Sequence, residues 1–567
     1  MSNEKIAEMF YDIADMLEIE DVQWEPRAYR KAAMTISTLP VDIKQIYEQG
    51  KLMNLEGIGA SISKSIEEYL KTGSMKKYTD LKKKYPIDFH IFRKIQGMGP
   101  KRAYVLYKKL GVRDIGDLKD ALEKNKVRSL EGFGEKSQEQ LKHNLQAFMK
   151  VKEERKMLGY VIDYFETLAD KLRKSGFFDR VEIAGSARRM KETVGDLDIL
   201  ATSKRPEASM DFFTKMKEVS GIIVKGDTKT SVKLDVGINC DLRVVPDGSF
   251  GAAMQYFTGN KDHNVKLRKI AISKGLKLNE YGVFRGSKSI AGATEKEVYA
   301  VLDMEEMEPE LRENMGEIEA AQKNSLPKVV GYDMILGDLH SHTKNSDGLN
   351  TLEEMVEAAA KLGFEYLAIT DHSKGLRIAN GLDEKRFMGL HKAIDKINEK
   401  SSVRVLKGVE LEILKDGSLD LPAKTLRSMD IVIGALHQNT KMPRKELTNR
   451  VVKAIESGLI TTVAHPTGRK IGEREAFDLD YQKIFETCSK NEVALEIDGF
   501  PDRSDLPFNM VKEAKAYGLM FTLGSDAHRK DQLRFIRMAT AIARRGWLEK
   551  KDVINAMHYK DVLKLRR

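Results

Sequence analysis

The stretch LHSHTKNSDG, residues 339–348, places two histidines one residue apart and an aspartate five residues later. On a strand, alternate side chains share a face, so His340 and His342 can both reach one metal ion. Further donors recur where later apolar runs end. LAITDHS (367–373) gives His372, VLKGVELE (405–412) gives Glu410, and IGALHQ (433–438) gives His437. TTVAHPTG (461–468) gives His465, and FTLGSDAH (521–528) gives Asp526 and His528. VALEIDG (493–499) ends in Asp498, read as a neighbour of the cluster rather than a ligand. Seven strand-plus-helix units, each strand ending in polar residues, describe a distorted (β/α)7 barrel whose active site sits at the C-terminal strand ends. One buried histidine in such a place is commonly a satisfied core group. Six strand ends supplying His, Asp or Glu instead point to a multimetal site. Mixed imidazole and carboxylate donors suit Zn2+, Mn2+ or Fe better than Mg2+, and such a cluster activates water against a phosphate ester. Glu412 shares a strand face with Glu410, so spacing alone does not choose between them.

The rest of the chain sets the context for that barrel. At 567 residues it is too long for one core and should form three or four domains. A net charge of +10 and a pI near 9.0 favour a polyanionic partner. Two cysteines, Cys240 and Cys488, exclude a disulfide framework. With no signal peptide and no apolar run near 18 residues, a cytoplasmic protein without membrane contact is expected.

Residues 1–150 read as α-helical, with three related segments: LEGIGASISKSIEEYL (55–70), IQGMGPKRAYVLYKKL (95–110) and LEGFGEKSQEQLKHNL (130–145). In each, a Gly-x-Gly turn (Gly57 and Gly59, Gly97 and Gly99, Gly132 and Gly134) opens an amphipathic helix. Such a turn presents backbone N–H groups to a phosphate oxygen at a helix N-terminus, where a Cβ would obstruct approach. The segments resemble helix-hairpin-helix motifs, which grip the DNA backbone without reading bases.

Beyond residue 175 the texture turns to strands. In AGSARRMKETVGDLDIL (184–200), Asp196 and Asp198 lie two apart on a strand and project from one face. Paired carboxylates of this kind hold divalent ions for in-line phosphoryl displacement. Gly185 and Ser186 form a candidate triphosphate cradle, with Arg188 and Arg189 to neutralise it. A third carboxylate is expected from a neighbouring strand. Asp235 and Asp241, six residues apart on what reads as one strand, are both candidates.

GSARR, GDLD, DLRVV and YFTGNKDHNVKLR (256–268) resemble the palm and nucleotide-binding motifs of family X DNA polymerases, to which DNA polymerase beta belongs, and the likeness covers residues 1–316. It implies that Asp196, Asp198 and Asp241 bind Mg2+ or Mn2+ and that Asp241 helps deprotonate the primer 3′-hydroxyl. It also implies that Ser186 and Arg189 contact the incoming deoxynucleoside triphosphate, and that Tyr256, Phe257 and Gly259 line its sugar and minor-groove edge. Asn264 would contact the base and Arg268 the template. The barrel resembles the polymerase and histidinol phosphatase (PHP) domain, whose nine metal ligands fall on His340, His342, Asp347, His372, Glu410, His437, His465, Asp526 and His528. The implied order is an N-terminal helix-hairpin-helix domain (1–80), a second helical DNA-binding domain (81–150), an α/β nucleotidyltransferase palm (151–248), a nucleotide-binding subdomain (249–316), a linker (317–332) and the PHP barrel (333–567). The implied activity is template-directed filling of short gaps in repair, with a 3′–5′ exonuclease or 3′-end-processing phosphoesterase that extends to abasic sites. The partners would be gapped or primer-template DNA, with the chain acting as a monomer. Intact carboxylates and nine intact ligands argue against an inactive scaffold, and the helical turns with Arg268 argue against a template-independent nucleotidyltransferase. One departure stands out: Ser65 occupies the position of the Schiff-base lysine of family members with lyase activity, and a serine cannot form an imine.

Overall fold

A computed structural model describes residues 2–565 apart from 38–42, 56, 94, 96 and 131. It divides into two compact units, one holding residues 1–155 with 314–316 and the other holding 156–313 with 317–567.

The first unit is helical. At each Gly-x-Gly turn the first glycine has positive φ (Gly57 80°, Gly97 84°, Gly132 81°), a region closed to most side chains. The second glycine is the N-cap of the helix that follows: Gly59 before Ala60–Thr72, Gly99 before Pro100–Leu110 and Gly134 before Glu135–Glu154. Gly59, Gly99 and Gly134 have φ of −87°, −82° and −79°, ordinary extended backbone that any residue adopts. All three are exposed, and a Cβ added at any of them would meet nothing of the chain within 4 Å. Within the fold, glycine is therefore required by conformation at the first position only.

A single apolar core runs from Ile6 through Phe10, Ile66, Phe89 and Leu106 to Leu145. The boundary expected at residue 80 is therefore not a break in packing. Lys82 and Arg93 reach back to Asp12 of the first helix across it.

In the second unit the palm is a five-stranded sheet in the order Arg180–Ile183, Asp196–Thr202, Asn239–Val244, Lys229–Leu234, Val219–Lys225. The segment expected to be one strand through Asp235 and Asp241 is a hairpin. Lys229–Leu234 and Asn239–Val244 pair antiparallel, and the turn between them passes through Gly237 at φ 81°. That turn places Asp235 outside both strands, where its carboxylate accepts a hydrogen bond from the Tyr164 hydroxyl. Next come the helices Phe250–Thr258 and Lys261–Ser273 and a three-stranded antiparallel sheet.

The expected linker is anchored rather than free. Glu317–Gln322 is helical, with Ile318 and Ala321 buried in the core of the nucleotide-binding subdomain. Glu317 is held by the buried His263, whose Nδ1 lies 2.7 Å from its carboxylate. Further along, the Val330 N–H donates to Leu548 O at 2.9 Å.

The last region is a seven-stranded, all-parallel sheet in sequential order from Gly337–Asp338 to Phe521–Gly524. A bridge between Ser341 and Ala527, with His342 N–H donating to Ala527 O at 2.9 Å, brings the extension of the first strand to that of the last. The barrel helix Ile536–Arg545 also belongs to the palm's packing, because Met538 and Ala541 are buried in the palm's core. Its arginines meet acidic groups earlier in the chain: Arg537 pairs with Glu166, Arg544 with Glu310, and Arg545 with Glu192. Burial pushes the Glu192 carboxyl up, but the Arg545 and Arg469 guanidiniums outweigh it and hold the group at about 2.

Candidate active sites

The palm site follows from strand register. Asp196–Thr202 pairs parallel with Asn239–Val244, and Asp198 lies directly opposite Asp241. Asp196, two residues before Asp198, shares its face. Burial, then the charges of Asp196 and Asp241, push the Asp198 carboxyl up to about 6. Three neighbouring carboxylates on two paired strands, with the buried one raised by its burial and by the charge of the other two, are a donor set whose chemistry suits divalent cations. The Gly185 backbone turns tightly over this site at φ 64°, and a Cβ there would lie 2.4 Å from Asp198 Oδ2. Only glycine allows the cradle and the carboxylate to be this close.

The two arginines of the cradle divide their work. Arg189 donates through Nε to Glu313 at 3.0 Å and through Nη1 to the Thr258 carbonyl. Arg188, read from sequence as a second phosphate partner, instead joins Thr258 (2.6 Å) and Glu295 (3.0 and 2.5 Å), tying the palm to the subdomain after it. Tyr256 and Phe257 stack edge to face at 5.0 Å, and Gly259 places its backbone against the Arg189 guanidinium. The Asn264 amide is already engaged at both ends: it donates to Tyr256 O and accepts from Gln255, each at 2.7 Å. Arg268 is half-buried one turn further along the same helix. Two basic groups that were not read as part of the site face Asp241: Lys229 at 3.4 Å and Arg243 at 3.5 Å. The Arg243 guanidinium also lies 4.6 Å from the centre of the Phe257 ring.

In the helical unit Arg102 ties the second Gly-x-Gly turn to the third: it donates to Gly97 O at 2.8 Å and to the Ser137 hydroxyl, and it lies 4.6 Å from the centre of the Phe133 ring. Gly59, Gly99 and Gly134 cap their helices without any side-chain hydrogen bond. A cap that brings no side chain of its own leaves the surface in front of the first helical turn open to a phosphate oxygen. The expected obstruction by a Cβ at these positions would thus fall on an approaching backbone and not on the protein.

In the barrel, the nine donors read from sequence converge. Glu410 is central, within 2.9–3.5 Å of imidazole nitrogens of His340, His342, His372, His437 and His465. Asp526 lies 3.2 Å from His342, and Asp347 lies 3.5 Å from His372 and 3.4 Å from His528. Donor atoms gather in three overlapping groups: His342/Asp347/His372/His528, His340/His342/Asp526 and His372/Glu410/His437. His340 Nε2, both nitrogens of His342, and His372 Nδ1 are buried with no hydrogen-bond partner. A buried polar atom without a partner is costly unless something else occupies its lone pair, and metal ions fit that need. Burial holds His372 down at about 3, whereas the carboxylates around His340, His437 and His528 outweigh burial and raise those imidazoles. His465 (φ 25°) and Asp526 (φ 51°) both have left-handed backbones, strain of the kind that gathers at functional sites.

The geometry also separates Glu410 from Glu412. Glu412 accepts from His437 Nδ1 at 2.9 Å and from Arg450 at 3.2 Å, so it orients a donor rather than facing the cluster. Glu496, not singled out from sequence, does the same for His340 Nδ1 (2.6 Å) and for the His465 backbone (2.7 Å). Asp371 is another such support, accepting from Thr343 and Ser346. Asp498 is a neighbour of the donors: it shares the Arg503 guanidinium with Asp526, at 3.5 and 3.4 Å.

Fold and sites thus define one class of protein: a nucleotidyltransferase palm joined to a metal-dependent phosphoesterase barrel, in a chain that begins with a helix-hairpin-helix unit. The comparisons agree. A helix-hairpin-helix domain matches residues 1–75, a SAM-like helix-hairpin-helix tandem 89–147, a DNA polymerase beta thumb 253–313 and a PHP domain 338–498. The chain is 35% identical over 568 residues to the DNA polymerase/3′-5′ exonuclease PolX of Bacillus subtilis (strain 168), covering 99% of each chain. It is 26% identical over 347 residues to the DNA polymerase lambda of Arabidopsis thaliana, covering 55% of this chain and 62% of that one. A probable phosphatase of Acetivibrio thermocellus is 29% identical over 200 residues, 34% of this chain and 78% of its own. The chain belongs to the family X DNA polymerases that carry a C-terminal PHP domain. No described helix is long and apolar enough to cross a membrane.

Proposed function

We propose that this chain is a template-directed DNA polymerase that fills short gaps, and that its barrel is a metal-dependent 3′–5′ exonuclease or 3′-end-processing site. The observation that carries the reading is the presence of two potential metal-binding constellations in one chain, Asp198 opposite Asp241 in the palm and the histidine- and carboxylate-rich cluster around Glu410 in the barrel. In the palm, Asp196, Asp198 and Asp241 would hold Mg2+ or Mn2+, which when bound neutralise charge developing on the transferred phosphoryl group. Ser186 and Arg189 orient the deoxynucleoside triphosphate, and Tyr256, Phe257 and Gly259 line its sugar. Asp241 draws the proton from the primer 3′-hydroxyl. Asn264 reaches a base edge once its amide leaves Gln255, and Arg268 faces the template. The Gly-x-Gly turns hold the phosphates of gapped or primer-template DNA without regard to sequence. Gly57, Gly97 and Gly132 shape these turns, and Gly59, Gly99 and Gly134 keep the helix N-termini bare for the phosphate.

In the barrel, the nine donors would hold Mn2+, Zn2+ or iron, which supply an activated water for phosphodiester cleavage. Glu412 and Glu496 fix the imidazole orientations through the second ring nitrogens of His437 and His340. The cleft over the donors is open to solvent and has a volume of about 260 Å³, room for a phosphate ester to reach the cluster. Primer extension and 3′-end degradation on gapped DNA, with Mg2+, Mn2+ and Zn2+ compared, tests both halves. Nucleotide addition with Mg2+ or Mn2+ and end degradation with Mn2+ or Zn2+ are expected. No addition in any metal would overturn the polymerase reading, and no degradation would overturn the barrel reading.

A further inference from the structure

The joint between barrel and palm contains an arginine whose bonding is incomplete. Arg545, on the barrel helix, has a side chain with no solvent exposure. Its Nη1 donates to Glu192 at 2.8 Å, and its guanidinium lies 3.9 Å from the centre of the Phe508 ring, which together fix its position. Its Nε and Nη2 nevertheless have no hydrogen-bond partner. Leaving two buried guanidinium nitrogens unpaired is unfavourable, and native proteins rarely do so without a reason.

Arg545 Nη2 lies 3.6 Å from Glu313 Oε1, just beyond hydrogen-bond reach. That same oxygen accepts from Arg189 Nε at 3.0 Å, while Oε2 accepts from Asn260 at 3.0 Å. Lys191 stands at 3.9 Å, too far to hold the group. One carboxylate therefore lies between two buried arginines, bonded to one and just short of bonding the other. Arg189 is the arginine that the polymerase reading assigns to the triphosphate. While Glu313 holds it, its charge is neutralised and a negative group stands at the edge of a site that must admit a polyanion.

We propose that Glu313 is a two-position switch: when a nucleoside triphosphate takes Arg189, the carboxylate passes to Arg545. The inference rests on the polymerase reading of the palm. Arg545 touches neither substrate nor reacting atoms, so it is a positioning residue contributed to polymerisation by the nuclease domain. The transfer satisfies the idle N–H groups of Arg545 at the moment Arg189 is freed, so the carboxylate is never left buried and unpaired. Triphosphate binding in the palm thereby changes a contact on the barrel helix, and the coupling is reciprocal by linkage.

Steady-state nucleotide addition on gapped DNA by the full chain tests this, with Arg545→Met, Glu313→Gln and the double variant compared. In Arg545→Met the carboxylate stays on Arg189, and KM for the deoxynucleoside triphosphate should rise roughly tenfold, with kcat changed less. Glu313→Gln removes the competitor and should lower KM. The double variant should return to the KM of Glu313→Gln, a rescue that a purely structural Arg545 would not give. Melting temperature and barrel nuclease rate report whether each variant is folded. If Arg545→Met does not fold, Glu313→Gln and Arg545→Lys carry the test, the latter expected to keep KM within a fewfold of the parent. A wild-type KM in folded Arg545→Met, a raised KM in Glu313→Gln, or a double variant as impaired as Arg545→Met would each overturn the switch. Absence of any nucleotide addition by the unmodified chain would overturn the polymerase reading itself, and the switch with it.

Discussion

Replacing Gly185 by alanine adds one methyl group at the point where the cradle crosses the palm carboxylates. Its Cβ would fall 2.4 Å from Asp198 Oδ2, whereas real Cβ contacts essentially never come under 3.0 Å. The carboxylate or the turn must then move by at least about 0.6 Å. Gly185 also has φ 64°, and alanine in that region costs about 1–2 kcal/mol. A misplacement near 1 Å at a reacting centre costs on the order of 10²-fold in rate. Gly185→Ala should therefore lower kcat for single-nucleotide gap filling by roughly 10- to 100-fold, about 1.4–2.7 kcal/mol of transition-state stabilisation. Degradation of a 3′ end by the barrel should change little. The assay is pre-steady-state addition of one nucleotide, with nuclease rate and melting temperature as controls. A variant that adds nucleotides within about threefold of the unmodified rate would refute the argument that Gly185 sets the distance between cradle and carboxylate.

Three other expectations follow from separate parts of the chain. Glu192 is held at about 2, below its ordinary 4.5, so its contribution to stability is present above about pH 4.5 and is lost as pH falls toward 2. The melting-temperature gap between the unmodified chain and Glu192→Gln should thus be widest near pH 6 and close on acidification; a gap that widens on acidification would contradict the pairing with Arg545 and Arg469. Gly97 has φ 84°, so Gly97→Val should strain the second hairpin and weaken DNA binding equally for all sequences, with a shallower salt dependence, whereas a change in base preference would argue against backbone contact. Ser65 donates to Ser61 O at 3.2 Å, and Lys64 lies one position round the helix, about 100° away. Borohydride should therefore fail to trap the chain on 5′-deoxyribose-phosphate DNA, and efficient capture abolished by Lys64→Ala would show that the helix face was misjudged.

The barrel cluster was legible because strand periodicity and C-terminal strand ends constrain it twice. His340 and His342 share a face by spacing, and every later donor except Asp347, which sits in the polar turn TKNSDG, follows an apolar run. Glu496 was not legible, since an acidic residue inside VALEIDG carries no mark distinguishing a support for His340 from a strand-end charge. The Gly-x-Gly turns were legible as turns, but two identical letters hid two different jobs. Gly57, Gly97 and Gly132 take a left-handed backbone, while Gly59, Gly99 and Gly134 sit in a conformation open to any residue. The palm pair Asp196 and Asp198 was readable from spacing two, but the choice between Asp235 and Asp241 depended on the hairpin turn at Gly237, which spacing six conceals. Least visible was the joint between domains. Arg537, Arg544 and Arg545 look in sequence like the solvated side of an amphipathic helix. Their acidic partners lie more than 200 residues earlier, at Glu166, Glu192 and Glu310. For the same reason residues 317–332 read as a linker, although the buried His263 holds Glu317 in the core.

One chain carries two chemically separate metal-dependent sites, and reciprocal inactivation tests this most directly. Asp196→Asn and His342→Ala are each given gapped DNA, deoxynucleoside triphosphates and Mn2+, and primer extension and 3′-end degradation are followed in the same reactions, with bound metal measured on the purified proteins. Asp196→Asn should lose extension by at least about 10²-fold while degrading ends at the unmodified rate. His342→Ala should lose degradation and bound metal while extending primers normally. Loss of both activities in either variant, or retention of both, would contradict the account.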